Sequence, residues 1–169
     1  LMTTRALDLQ RLAAGQSRDV VRFLNDLEGD IVAQLARIDP TGIGSISRRA
    51  ARLEKLLAQV RATITGSFRT EGVRLANELR EIADMEAKFA ASAINRGAGV
   101  QLIATELTRG QLTAITGNLL VQGSPVSELL SRQAGDVLQR FTDNMRLGIA
   151  QGETNGELIR RIRGGKQNG

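Results

Sequence analysis

The run Gly148-Ile149-Ala150-Gln151-Gly152-Glu153-Thr154-Asn155-Gly156-Glu157-Leu158-Ile159-Arg160-Arg161-Ile162-Arg163-Gly164-Gly165 decides how the chain is read. It predicts one helix stopped at Gly152 and a second, short and basic, started at once. Thr154 and Glu157 have the spacing of a capping box, in which the Thr hydroxyl serves the third amide and the Glu carboxylate serves the first. Leu158, Ile159 and Ile162 give the short helix one apolar face, and Gly164-Gly165 ends it. The helix before the joint is predicted from Ser124 as N-cap and Pro125 as first helical residue, where a missing N–H costs nothing. Val126, Leu129, Leu130, Val137, Leu138, Phe141, Met145 and Ile149 form its apolar face.

Upstream, helical periodicity continues. Leu12, Val20, Val21, Leu24, Leu27, Ile31, Leu35 and Ile38 form a narrow stripe close to a coiled-coil seam, predicting a helix over residues 4–38 with a break near Gly15. Asp39-Pro40-Thr41-Gly42-Ile43-Gly44 then stops it, with φ fixed at Pro and permissive at Gly. Ile46, Leu53, Leu57, Val60, Ile64, Phe68, Leu75, Leu79, Ile82, Met85 and Phe89 predict a second helix over residues 45–95, roughly 75 Å long at about 1.5 Å per residue. Gly66 and Gly72 mark where it would kink, and Arg96-Gly97-Ala98-Gly99 closes it.

The expected fold is therefore all-α. A long antiparallel helical hairpin over 1–96 turns at 39–45. A connecting segment with short helices covers 97–123, a helix–turn–short helix covers 124–165, and a polar tail covers 166–169. Residues 111–123 read as connection with a small helix, because Thr113 to Val121 suits a short strand as well as a helix.

Composition narrows the chemistry. With 169 residues, 2 Pro, 4 Phe and neither Trp nor Tyr, the apolar surface must come from aliphatic side chains, which suits helix-on-helix seams better than strands. The absence of His and Cys removes the usual metal ligands, the commonest general base and disulfides. A His-dependent triad is excluded within the chain. Gly164-Gly165-Lys166-Gln167 lacks the hydroxyl and following helix of a phosphate loop, and Gly97-Ala98-Gly99 follows no strand. The acidic group Glu78, Glu81, Asp84 and Glu86 is expected to pair with Arg74, Arg80 and Lys88 across helical turns rather than hold a cation. No cofactor, no metal and no enzymatic activity are expected. No apolar run approaches a membrane span. The start Leu1-Met2-Thr3-Thr4-Arg5 lacks a signal-peptide layout and an initiator Met, so an excerpt of a longer polypeptide is expected.

The net charge of +5 is uneven. Residues 45–96 hold 10 basic and 6 acidic residues, against 5 and 6 in residues 1–44. Arg48, Arg49, Arg52 and Lys55 form the densest cluster, and Arg160, Arg161 and Arg163 a second. They are the candidates for sequence-independent phosphate contacts to DNA; the plainer alternative is a solvated helix face. Leu24, Leu27, Ile31, Leu35, Leu53, Leu57, Val60 and Ile64 are the candidate seam, for partners or for pairing within or between chains.

From about Leu107 to Gly165 the sequence resembles the phage head-morphogenesis family, the Mu F-like minor head proteins. The resemblance rests on Gly123-Ser124-Pro125-Val126-Ser127-Glu128-Leu129-Leu130, on Arg146-Leu147-Gly148-Ile149-Ala150-Gln151-Gly152-Glu153-Thr154, and on Glu157-Leu158-Ile159-Arg160-Arg161-Ile162-Arg163-Gly164. It covers about a third of the chain. It implies a minor capsid protein of the virion, present in few copies inside the head near the portal vertex, contacting portal and capsid proteins and aiding assembly, DNA packaging or ejection. The helical hairpin would then be a portal-binding or self-associating arm, making a homo-oligomer an expected state. The alternatives are a coiled-coil adaptor unrelated to phages, and an ejected helical conduit component lying on anionic membrane.

Overall fold

The structure, a computed structural model, describes residues 2–100, 107–117, 120–121 and 124–164, with side chains described from residue 14 onward except at 120–121. The fold is all-α. In chain order the elements are α1 (Met2–Ile38), α2 (Ile46–Ala98), α3 (Arg109–Gly117), β1 (Leu120–Val121), β2 (Ser124–Pro125), α4 (Val126–Ala150) and α5 (Asn155–Ile162). The expected readings at Leu12, at 101–106, at Asn118 and Leu119, at Gly165 and over the 166–169 tail fall outside what is described.

The two long helices fall close to their expected bounds. α1 runs through Gly15 without a break, and α2 runs through Gly66 and Gly72 for 53 residues. A single helical glycine costs about 1 kcal/mol against Ala, too little to interrupt a helix whose flanking turns are packed.

The turn over residues 39–45 is built differently from its expected form. Positive φ falls on Asp39 (φ 40°) and on Gly44 (φ 152°). Asp39 donates its N–H to Leu35 O at 3.0 Å, so it closes α1 in the left-handed region. Its Oδ1 accepts from the Thr41 N–H at 3.2 Å and from the Thr41 hydroxyl at 2.8 Å, the local compensation that lets Asp hold this conformation. Arg52 then donates to the carbonyls of Gly42 (2.5 Å) and Ile43 (3.3 Å), and Pro40 is fully buried.

The chain divides into two compact units. The first comprises α1, α2 as far as Ser67, and the chain from Gly135 through α5. Its core is almost wholly aliphatic: Leu27, Ile31, Leu35, Leu56, Leu57, Val60, Ile64, Phe141, Met145 and Leu158 are buried. Gln34 Nε2 donates to Thr63 Oγ1 at 2.6 Å, one polar tie between α1 and α2. Leu56 was not in the expected seam, yet it is fully buried, while Leu53 is only half-buried. The apolar stripe of α2 is thus wider than a two-per-heptad seam because two neighbours, α1 and the end of α4, face it.

The second unit comprises α2 from Phe68, α3, the β1–β2 ladder and α4 as far as Ala134. Ser124 and Pro125 do not begin α4 as expected. They pair antiparallel with Val121 and Leu120, and α4 starts at Val126. Proline suits a two-residue edge strand, since the N–H it lacks is not demanded there. Ser124 is buried, and its hydroxyl accepts from Arg132 Nη2 at 2.8 Å. Close approach of α2 and α4 uses Gly72, where an added Cβ would sit 3.3 Å from Leu130 Cδ1. Buried Glu71 is held by Arg74 at 2.9 and 2.5 Å, and Arg74 also pairs with Glu78, which keeps the guanidinium firmly protonated. Of the expected helical pairs, Lys88–Asp84 forms at 2.8 Å, whereas Arg80 donates to Asn77 instead.

Leu56→Ala is expected to cost about 2–5 kcal/mol in chemical unfolding of the whole chain, and Leu53→Ala clearly less, because only the former opens a cavity in a closed core.

Candidate functional site

Residues 148–161 build one compact joint between α4 and α5. α4 ends in a Schellman closure. Gly152 sits at φ 76° and donates to Ile149 O at 3.1 Å, while Glu153 donates to Gly148 O at 2.9 Å. Only glycine takes that φ without strain. Thr154 then caps α5 with both halves of the expected box in place. Its Oγ1 accepts from Glu157 N–H at 3.4 Å, and its own N–H donates to Glu157 Oε2 at 2.7 Å.

Gly148 has a different task. A Cβ there would overlap Leu158 Cδ2 and lie 2.5 Å from Glu153 Oε2. The missing side chain is what allows the fully buried Leu158 to pack against the last turn of α4. Glu153 meanwhile turns its carboxylate to Arg161, which donates from Nε at 3.0 and 3.1 Å and forms a close ion pair through Nη2. Arg161 Nη2 also donates to Gln151 Oε1 at 2.7 Å. α5 lies on α1: Asn155 Nδ2 donates to Leu35 O at 3.2 Å, and Arg163 stands 3.6 Å from Glu28.

The seven candidate cations therefore divide. Arg161 is committed to Glu153, Arg52 to the carbonyls of the 39–45 turn, and Arg163 to Glu28. Arg48, Arg49, Lys55 and Arg160 are exposed and none is in a described salt bridge, although Arg160 lies close enough to Glu157 to favour its charged form. The seam candidates divide as well. Leu27, Ile31, Leu35, Leu57, Val60 and Ile64 are buried in the chain's own core, the within-chain pairing among the expected alternatives. Leu53 is half-buried and Leu24 is 45% exposed. Apolar groups that do face water in this unit include Val20, Val21, Ile43 and Ile46.

Two open grooves mark the first unit. One, about 400 Å³, lies between the 39–45 turn, the start of α2 and the α4–α5 joint, with Pro40, Leu53 and Ile149 in its lining and Arg49 at its edge. The other, about 290 Å³, is bordered by Leu24, Glu28, Arg140 and Phe141. Among the described residues no group of three or more Asp or Glu is placed to hold a metal ion.

The periodicity missed three partnerships: Glu153 with Arg161, Asn155 with α1, and Gly148 with Leu158. Each depends on a chain reversal, and none leaves a repeat in the sequence. No family model, no curated protein and no solved structure matches this chain.

Gly148→Ala is expected to destabilise the chain by about 1–3 kcal/mol in thermal unfolding, since Leu158 must leave its rotamer or α5 must lift. Thr154→Ala should cost about 1 kcal/mol through loss of the cap. Acid should weaken the joint. The Arg161 hydrogen bond holds the Glu153 carboxyl below its ordinary range, and the Thr154 N–H and hydroxyl do the same for Glu157. Carboxyls lowered in the folded state contribute stability above their unfolded pKa, about 4.3, and lose it as pH falls through the folded values. The unfolding midpoint should fall on acidification below about pH 4, and less steeply in Glu153→Gln.

Proposed function

We propose that the chain is a structural component of a phage head, a minor capsid protein near the portal vertex, working through protein contacts rather than by making or breaking bonds. One observation carries this reading. Within the resembling stretch, five residues near its end act together in the α4–α5 joint: Gly148 for close approach, Gly152 for the reversal, Glu153 for Arg161, and Thr154 with Glu157 for the cap. The joint fixes a short basic helix whose Arg160 is exposed, on a frame with exposed aliphatic positions along α1. That combination suits a piece that docks on neighbouring subunits beside packaged DNA.

On this reading the partners are portal and capsid proteins, other copies of the chain, and DNA phosphates without regard to sequence. Arg48, Arg49, Lys55 and Arg160 are the contacting cations, and Arg52, Arg161 and Arg163 support the frame.

The deciding experiment is co-assembly. Expressed with the portal protein of its own genome, the chain should migrate with portal complexes and be recovered in few copies from purified heads. Heads that lack it altogether, or a lone chain turning over a small molecule, would end the proposal. For DNA, duplex affinity should fall linearly in log–log against salt. Replacing Arg48, Arg49, Lys55 and Arg160 by Gln should reduce that slope by about 0.9 per phosphate contact removed.

A further inference from the structure

Residues 43–51 are exposed at every position, although they include the first turn and a half of α2. Ile43 is fully exposed and Ile46 is 78% exposed. A single isoleucine in water is ordinary surface; two on one turn, next to an open apolar groove, form a patch. The groove continues that surface from Ile46 to Pro40, Leu53 and Ile149.

Charge around the patch is one-sided. Arg37 stands in the last turn of α1, and Arg48, Arg49 and Lys55 on the first three turns of α2. All four are exposed, and no described contact pairs them with a carboxylate. Of the acids near it, Asp39 is occupied by Thr41, Glu153 in the groove lining is paired with Arg161, and Glu54 lies exposed on the surface. α2 has no acid in its first turn, so its positive end adds to the cations. Aliphatic exposure and uncompensated positive charge thus share one segment.

We propose that this turn contacts an anionic phospholipid surface: Ile43 and Ile46 enter the boundary between headgroups and acyl chains, while Arg37, Arg48, Arg49 and Lys55 lie against lipid phosphates. DNA would use the cations and leave both isoleucines in water, whereas a bilayer surface satisfies the two groups together. Acyl chains also adapt to a projecting side chain without needing a matching cavity. Among the described residues no helix is long and apolar enough to cross a membrane, so the contact is superficial. Without Trp or Tyr to anchor it, attachment is reversible and salt-sensitive. The inference does not depend on the head-component reading and stands or falls separately.

The test sediments the full chain with vesicles of phosphatidylcholine alone, or with about one-third phosphatidylglycerol, at about 0.05 M and about 0.5 M salt. Partition into anionic vesicles at low salt is expected, weaker by about tenfold or more on neutral vesicles or at high salt. Ile43→Ser with Ile46→Ser, and separately Arg48→Gln with Arg49→Gln, should each weaken it by about tenfold. These side chains are exposed, so thermal unfolding should stay unchanged. The chain has no Cys, so a polarity-sensitive dye on Ile43→Cys should shift to the blue with anionic vesicles only. No partition at low salt would overturn the proposal. So would an isoleucine double variant that binds like the parent, which would assign the cations to phosphates in general, or a dye that stays in water while a protein partner covers the turn.

Discussion

Leu158 can be buried only because position 148 has no side chain. That one steric permission draws α5 back onto the end of α4 and brings its start against α1. The backbone closure at Gly152, the cap at Thr154 and the ion pair between Glu153 and Arg161 all operate at the distance it sets. None of them would hold α5 alone. An eight-residue helix is too short to persist in water by its own hydrogen bonds, so its existence rests on packing and caps.

Electrostatics sorts the basic residues by the same logic. Where the fold brings a carboxylate or a row of carbonyls within reach, an arginine becomes part of the frame, as Arg52, Arg74 and Arg161 do. Where no salt bridge is described, the exposed cation stays available, as at Arg48, Arg49 and Lys55. Such cations can serve a nucleic acid, a lipid or another protein without first breaking a contact within the chain. A sequence scan weights all of them alike.

Much of the fold was legible in the residues. The 3.6-residue spacing of aliphatic side chains gave α1, α2 and α4 to within a few positions, because helix period and apolar face are local properties. The capping box and the glycine stop were legible for the same reason: their partners lie within three or four residues. Two readings failed where a pairing outside the helical ladder intervened. Ser124-Pro125 looks like a helix start until Leu120-Val121 pairs with it. Asp39 takes the left-handed φ expected of the glycines because its side chain finds Thr41. The aliphatic seam stayed open between the chain and a partner, because a stripe on a helix does not reveal what will cover it; here the chain covers most of it.

By itself, the sequence determined an all-helical chain with aliphatic seams, a punctuated joint near Gly152 and two basic clusters, all consequences of near-neighbour spacing. Tertiary structure alone decided which leucines closed into a core and which arginines were consumed. It alone decided that Ile43 and Ile46 were left in water. Those outcomes depend on which helices meet, and contact between residues a hundred positions apart, as between Leu35 and Asn155, has no signature along the chain.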